Sequence, residues 1–183
     1  CKAPYSPRYL MVELLTGILF ALCGIYYLPG LKIALVFFFV ACLIVQAFVD
    51  LDYQILLDEI LMLMLPTGII YAYYALPDMW DALYGALFAG GLMLLIFLLS
   101  RGGMGAGDVK LSFVLGVWLG LKASIVCLML AFILGGVIGV LLLVTGIKQR
   151  KDPIPFGPFL CTGAYIALLF SPYLIYFYWS LFV

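Results

Sequence analysis

Apolar stretches long enough to cross a bilayer follow one another along this 183-residue chain with little between them. They fall at residues 9–28, 33–49, 60–76, 82–100, 109–121, 123–147 and 159–183. A hydrocarbon core needs roughly 20 helical residues to span it, and backbone polar groups inside it must be satisfied within the segment. The expected fold is therefore all-α, a polytopic transmembrane helical bundle of about seven spans. A chain that is 68% hydrophobic and 10% charged has more apolar surface than a soluble domain of this size needs. The fifth stretch is short, and its Gly116 and Gly120 point to close packing against a neighbour. Ser171-Pro172 interrupts the last stretch and is expected to kink it.

Seven spans put the chain ends on opposite sides. With the N-terminus in the cytoplasm, Lys2, Arg8, Arg101, Lys110, Lys148, Arg150 and Lys151 face inward, and only Lys32 and Lys122 face out. That split is 7 against 2 of the 9 basic residues, so the positive-inside rule selects this orientation. Trp80, Trp118 and Trp179, with the tyrosines, are expected to form interfacial belts.

Net charge is zero and no basic face exists for a nucleic acid. There is no histidine, which excludes Ser-His-Asp and Cys-His mechanisms and any His-bearing metal site. Cys23, Cys42, Cys127 and Cys161 lie in apolar spans or at their edges, with no CxxC pair, and read as small packing residues. Cys1 opens a chain without an initiator Met, which reads as a fragment or processed product.

Against this background two acids stand out. Asp50 lies in Phe48-Val49-Asp50-Leu51-Asp52-Tyr53-Gln54, and Asp108 in Gly103-Met104-Gly105-Ala106-Gly107-Asp108-Val109-Lys110. Carboxylates beside hydrocarbon are costly and mark function. Both fall at span ends on the same, cytoplasmic side. Two carboxylates brought together cannot both ionise cheaply, so a pair holds one proton. The ionised member can take a proton from water while the other donates to a carbonyl oxygen. That is aspartic-protease chemistry, with no cofactor, no metal and no covalent intermediate. Gly105 and Gly107 would permit unusual backbone angles and leave room for a substrate strand or a neighbouring helix. An Asp at this place is also a plain helix cap. The Pro- and Gly-rich stretch 153–159 cannot be regular helix; irregular backbone at membrane depth lines a wet cavity or is buried in protein.

Four stretches together resemble the type IV prepilin peptidases, the leader peptidases of bacterial pilus and type II secretion systems. Ser6-Pro7-Arg8-Tyr9 with Val12-Glu13-Leu14-Leu15-Thr16-Gly17 looks like the opening of their membrane core. Val49-Asp50-Leu51-Asp52, with Gln54 and Asp58, looks like their first catalytic segment. The stretch from Gly103 to Leu111 looks like their Gly-x-Gly-Asp segment, and Pro153-Ile154-Pro155-Phe156-Gly157-Pro158-Phe159 like their late loop. The resemblance implies that Asp50 and Asp108 are the catalytic pair, with Asp52 and Asp58 as competitors for the first role. It implies a prepilin or pseudopilin substrate with a short basic leader, held among membrane lipid and cut after a glycine. Asp52, Asp58, Glu59, Gly105, Gly107, Lys110, Pro155, Phe156 and Gly157 are the implied substrate-facing residues. The implied location is the bacterial inner membrane, multi-pass, with the site facing the cytoplasm. One departure is Leu57, where the family usually has proline.

Bifunctional members carry a further N-terminal span and a cysteine-rich part associated with S-adenosylmethionine-dependent methylation. Cys1-Lys2-Ala3-Pro4 looks like its tail. Residues 1–8 are thus expected to be a remnant of that segment and 9–183 the peptidase core. Zinc and S-adenosylmethionine would be relevant only if the N-terminal part were present.

Other expectations concern charge. Asp52, Asp58 and Glu59 join Asp50 in a loop with no basic residue, which either attracts the basic leader or simply carries acids at a helix start. Glu13 either pairs with Arg8 or faces the pilin. Lys110 either favours ionised Asp108 or snorkels to the interface. Rival readings are a related Gly-x-Gly-Asp protease (preflagellin or presenilin-like), a carboxylate-based cation or proton transporter, and a membrane scaffold.

Overall fold

A computed structural model describes residues 7–100, 103–146 and 154–182. The expectations for Cys1, Lys2, Ser6, Arg101, Lys148, Arg150, Lys151, Pro153 and the Trp179 side chain lie outside the described residues.

The described chain is all helical. Its elements are α1 (Pro7–Tyr26), α2 (Leu31–Tyr53), α3 (Asp58–Ala75), α4 (Met79–Leu99), α5 (Ala106–Val144) and α6 (Gly157–Phe182). Four of them, α1, α2, α4 and α5, are long and apolar enough to cross a membrane. Their outward faces carry exposed Met11, Leu87, Leu98 and Val140, a surface suited to hydrocarbon rather than water.

Local chemistry sets the boundaries. Pro7 opens α1, where its missing N–H costs nothing. The α2 helix stops at Gln54, which turns left-handed at φ 56° and donates its N–H to the Asp50 carbonyl. Asp58 and Glu59 occupy the first turn of α3, favourably placed against the helix dipole. The Asp78 side chain accepts the Trp80 N–H and caps α4. Long α5 is two helical stretches joined at Gly120, whose φ of 71° is not helical. The Asp81 carboxylate accepts the Leu121 N–H at 3.2 Å and so caps the second stretch.

Glycines let α4 and α5 touch at the backbone. A Cβ on Gly85 would stand 2.5 Å from the Gly116 carbonyl oxygen, and one on Gly116 would collide with the Gly85 backbone. The close approach expected of Gly116 and Gly120 is therefore present. The centre of the bundle is Trp118. It is 0% exposed, stacks on Phe39 and Tyr71 with centroids 4.4 and 5.1 Å away, and donates its indole N–H to the Met64 carbonyl at 2.8 Å. This corrects its expected place in an interfacial belt. Gly68 makes the room, since a Cβ there would stand 2.5 Å from the indole nitrogen. Trp80 is exposed. Cys23, Cys42, Cys127 and Cys161 are free and buried, in keeping with packing roles.

One helix start differs from expectation. Residues 157–159 open α6 rather than lying in irregular backbone, because a proline in the first helical turn has no hydrogen bond to lose. Helix α6 continues through Ser171-Pro172.

Candidate active site

The C-terminal end of α2 and the starts of α1, α3, α5 and α6 meet at one end of the bundle, tied by contacts far apart in sequence. Asp50 lies in the last turn of α2 and Asp108 in the first turn of α5. They are 5% and 7% exposed, and close enough for their charges to act on one another. Both line a cavity of about 460 Å³, together with Gly105, Gly107, Asp58, Lys110, Pro155 and Phe156. The two segments singled out in the sequence thus meet at one cavity.

Gly157 completes the arrangement. Its N–H, at the start of α6, donates to Asp50 Oδ2 at 2.9 Å. A Cβ on Gly157 would stand 2.6 Å from the same oxygen, so only glycine lets the amide approach this closely. A buried carboxylate needs such donors, and a helix N-terminus supplies them with a favourable dipole.

The backbone-angle role expected of Gly105 and Gly107 is not found. Gly105 sits at φ −76° and ψ 140°, and Gly107 lies within helical α5. Neither has a positive φ, so neither is needed for an unusual backbone angle. Gly107 instead admits Leu56, whose Cβ is 3.1 Å from the place a Gly107 Cβ would occupy.

The surrounding charges pair in ways that neighbouring sequence does not show. Arg8 binds Asp52, and Lys110 binds both oxygens of Asp58 at 2.7 and 3.0 Å. Arg8 thus has Asp52 as its partner where Glu13 was considered, and Lys110 reaches Asp58 rather than Asp108. The acidic loop is not free of cations, because α1 and α5 deliver one each. Both pairs are substantially exposed, so each is weak on its own. Glu59 is exposed at the start of α3.

One residue escaped the sequence reading. Gln46 is fully buried in α2. Its Nε2 donates to the Leu57 carbonyl and its Oε1 accepts the Leu57 N–H, each at 2.9 Å. This two-way bond fixes the connection between α2 and α3. The departure at Leu57 now has a structural consequence: a proline there would have no N–H to give. A lone glutamine in an apolar span was the available signal.

Two carboxyl groups sharing a half-closed cavity, one of them held by a backbone N–H, can bind a water and move protons to and from a carbonyl group. Comparison with known proteins agrees with that chemistry. The sequence pattern described as the type IV leader peptidase family matches residues 37–140, which include both aspartates. A prepilin leader peptidase/N-methyltransferase of Aeromonas hydrophila is 34% identical over 178 residues, covering 93% of this chain and 61% of that protein. The protein of the same description from Pseudomonas aeruginosa is 31% identical, with the same coverage. One from Bacillus subtilis is 32% identical over 180 residues, covering 97% of this chain and 72% of its own. The chain thus spans about three fifths of the first two relatives. No solved structure matches it. On the family pattern and these identities, the chain belongs to the type IV leader peptidase family.

Proposed function

We propose that the chain is a membrane aspartic endopeptidase that removes the short basic leader from type IV prepilins or type II secretion pseudopilins, cutting after a glycine. The observation that carries this is the pair of buried aspartates from α2 and α5 lining one cavity. Asp50 and Asp108 hold the attacking water between them. The ionised carboxylate takes its proton, and the oxygen attacks the glycine carbonyl. The protonated carboxyl donates to the carbonyl oxygen. Collapse of the tetrahedral intermediate breaks the C–N bond, and the amine leaves with a proton returned by the pair. No cofactor enters the reaction.

In this reading the two stretches of α5 count separately, and the chain has about seven spans with the site at the cytoplasmic face of the bacterial inner membrane. The 7-to-2 distribution of basic residues supports that orientation. Residues 9–183 form the peptidase core, and 1–8 are the tail of a cysteine-rich cytoplasmic segment. Asp52, Asp58 and Glu59 receive the leader, the first two by exchanging Arg8 and Lys110 for its cations. Gly105, Gly107, Lys110, Pro155, Phe156 and Gly157 face the scissile region.

Methyl transfer, which the relatives' names include, is not carried over. The described cysteines are buried separately within helices, and no three His, Cys, Asp or Glu side chains gather among the described residues. They do not fit a tetrahedral zinc site.

The test is incubation of the purified chain in detergent with a prepilin, followed by mass analysis. Release of the intact leader ending in glycine is expected. No cleavage by a folded, monodisperse chain contradicts the proposal and returns the carboxylate pair to a transport role.

A further inference from the structure

We propose that Leu56 is the residue that restricts the cut to glycine; this rests on the peptidase reading of the same cavity. Leu56 follows the left-handed turn at Gln54 and lines the cavity beside both aspartates. Its two methyl groups diverge to opposite walls. Cδ1 lies 3.2 Å from the place a Cβ on Gly107 would occupy, and Cδ2 lies 3.2 Å from the corresponding place on Gly157. Gly107 directly precedes Asp108 in the chain, and Gly157 holds Asp50. One forked side chain therefore fills the space between the two catalytic segments.

Covalent geometry turns that position into a filter. The scissile carbonyl carbon must sit between the carboxyls. The Cα on its acyl side is one bond away, and a Cβ there stands within about 2.5 Å of the carbonyl carbon. Any side chain on that residue must project into space next to the dyad. A Cβ on Gly107 would press on Leu56, and one on Gly157 would press on Asp50 first and then on Leu56; Leu56 cannot withdraw freely. Its backbone is fixed one residue later by the two Gln46 bonds to Leu57, and its side chain packs against the buried core. A glycine passes beneath it, whereas an alanine places a methyl group against its fork.

The experiment uses the full chain in detergent and two prepilins differing only in the last leader residue, Gly or Ala. The parent is expected to cut the Ala form at least tenfold more slowly, in the range one misplaced methyl group commands. Leu56→Ala removes both methyl groups of the fork and is expected to narrow the Gly-to-Ala ratio of kcat/KM by about tenfold or more. Leu56→Val, which keeps most of the packing, gives a smaller shift in the same direction and carries the test if Leu56→Ala is not monodisperse. An unchanged ratio, an equal slowing on both substrates, or a parent indifferent to the methyl group overturns the inference while leaving the peptidase reading intact. A parent that cuts neither substrate overturns both.

Discussion

Replacing Gly157 with alanine is the sharpest perturbation the geometry offers. The added Cβ would stand 2.6 Å from Asp50 Oδ2 and 3.0 Å from Cγ. Ordinary contact begins near 3.4 Å, so the carboxylate must retreat by about 0.8 Å, and a displacement near 1 Å of a reacting group costs on the order of 100-fold in rate. The retreat also strains the 2.9 Å bond from the Gly157 N–H. A hydrogen bond to a charged group is worth about 1.5–3 kcal/mol, which is likewise about 10- to 100-fold. The two effects act on the same atoms and are not additive. The expected result is a kcat roughly 100-fold below the parent with KM little changed, since the leader and the pilin helix bind elsewhere. Steady-state cleavage of a prepilin measures it. Gly91→Ala in α4 is the matched control, since a Cβ there meets nothing within 4 Å. A Gly157→Ala chain that cuts as fast as the parent would refute the reasoning.

Gln46→Leu leaves the Leu57 N–H without its partner, while the Leu57 carbonyl keeps the Leu61 N–H at 3.3 Å, and one half-buried group left unpaired costs about 1–3 kcal/mol; a clear fall in the detergent melting temperature is expected, and an unchanged Tm contradicts it. Gly85→Ala drives a Cβ into the Gly116 and Gly120 backbone, whereas Gly17→Ala meets nothing within 4 Å; size-exclusion profiles should show the first misfolded and the second like the parent. Lys110→Gln leaves Asp58 without its cation, so cleavage of a Lys-rich leader should gain a few-fold over a neutralised one at low salt and lose that gain at high salt; no dependence on leader charge contradicts the receiving role of Asp58.

Much of the bundle was legible because hydrocarbon imposes a simple pattern. The stretches read at residues 9–28, 33–49, 60–76 and 82–100 lie on α1 to α4, and the split at 121–123 falls beside the Gly120 turn that divides α5. Asp50 and Asp108 were legible for the same reason, as acids are conspicuous against apolar sequence. What the sequence hid depends on pairing across the bundle. Arg8 and Asp52 are 44 positions apart, and Lys110 and Asp58 are 52 apart. No local pattern couples them, so Asp52 and Asp58 looked unopposed. Trp118 was misplaced because aromatic belts are a statistical habit of interfaces. Its burial depends on Gly68 opposite, which offers the space, and on the Met64 carbonyl, which accepts the indole N–H. Gly157 was read as part of a loop, whereas its backbone N–H, invisible in side-chain chemistry, holds Asp50.

The most direct test of the central claim is prepilin cleavage by the detergent-solubilised chain beside Asp50→Asn and Asp108→Asn, with folding checked by melting temperature. An asparagine keeps the size of each side chain and removes its proton chemistry. The account predicts that the parent cuts and that both variants are folded and inactive. A folded variant that still cuts at the parent's rate would contradict it, moving the first role to Asp52 or Asp58 or removing the pair from the mechanism.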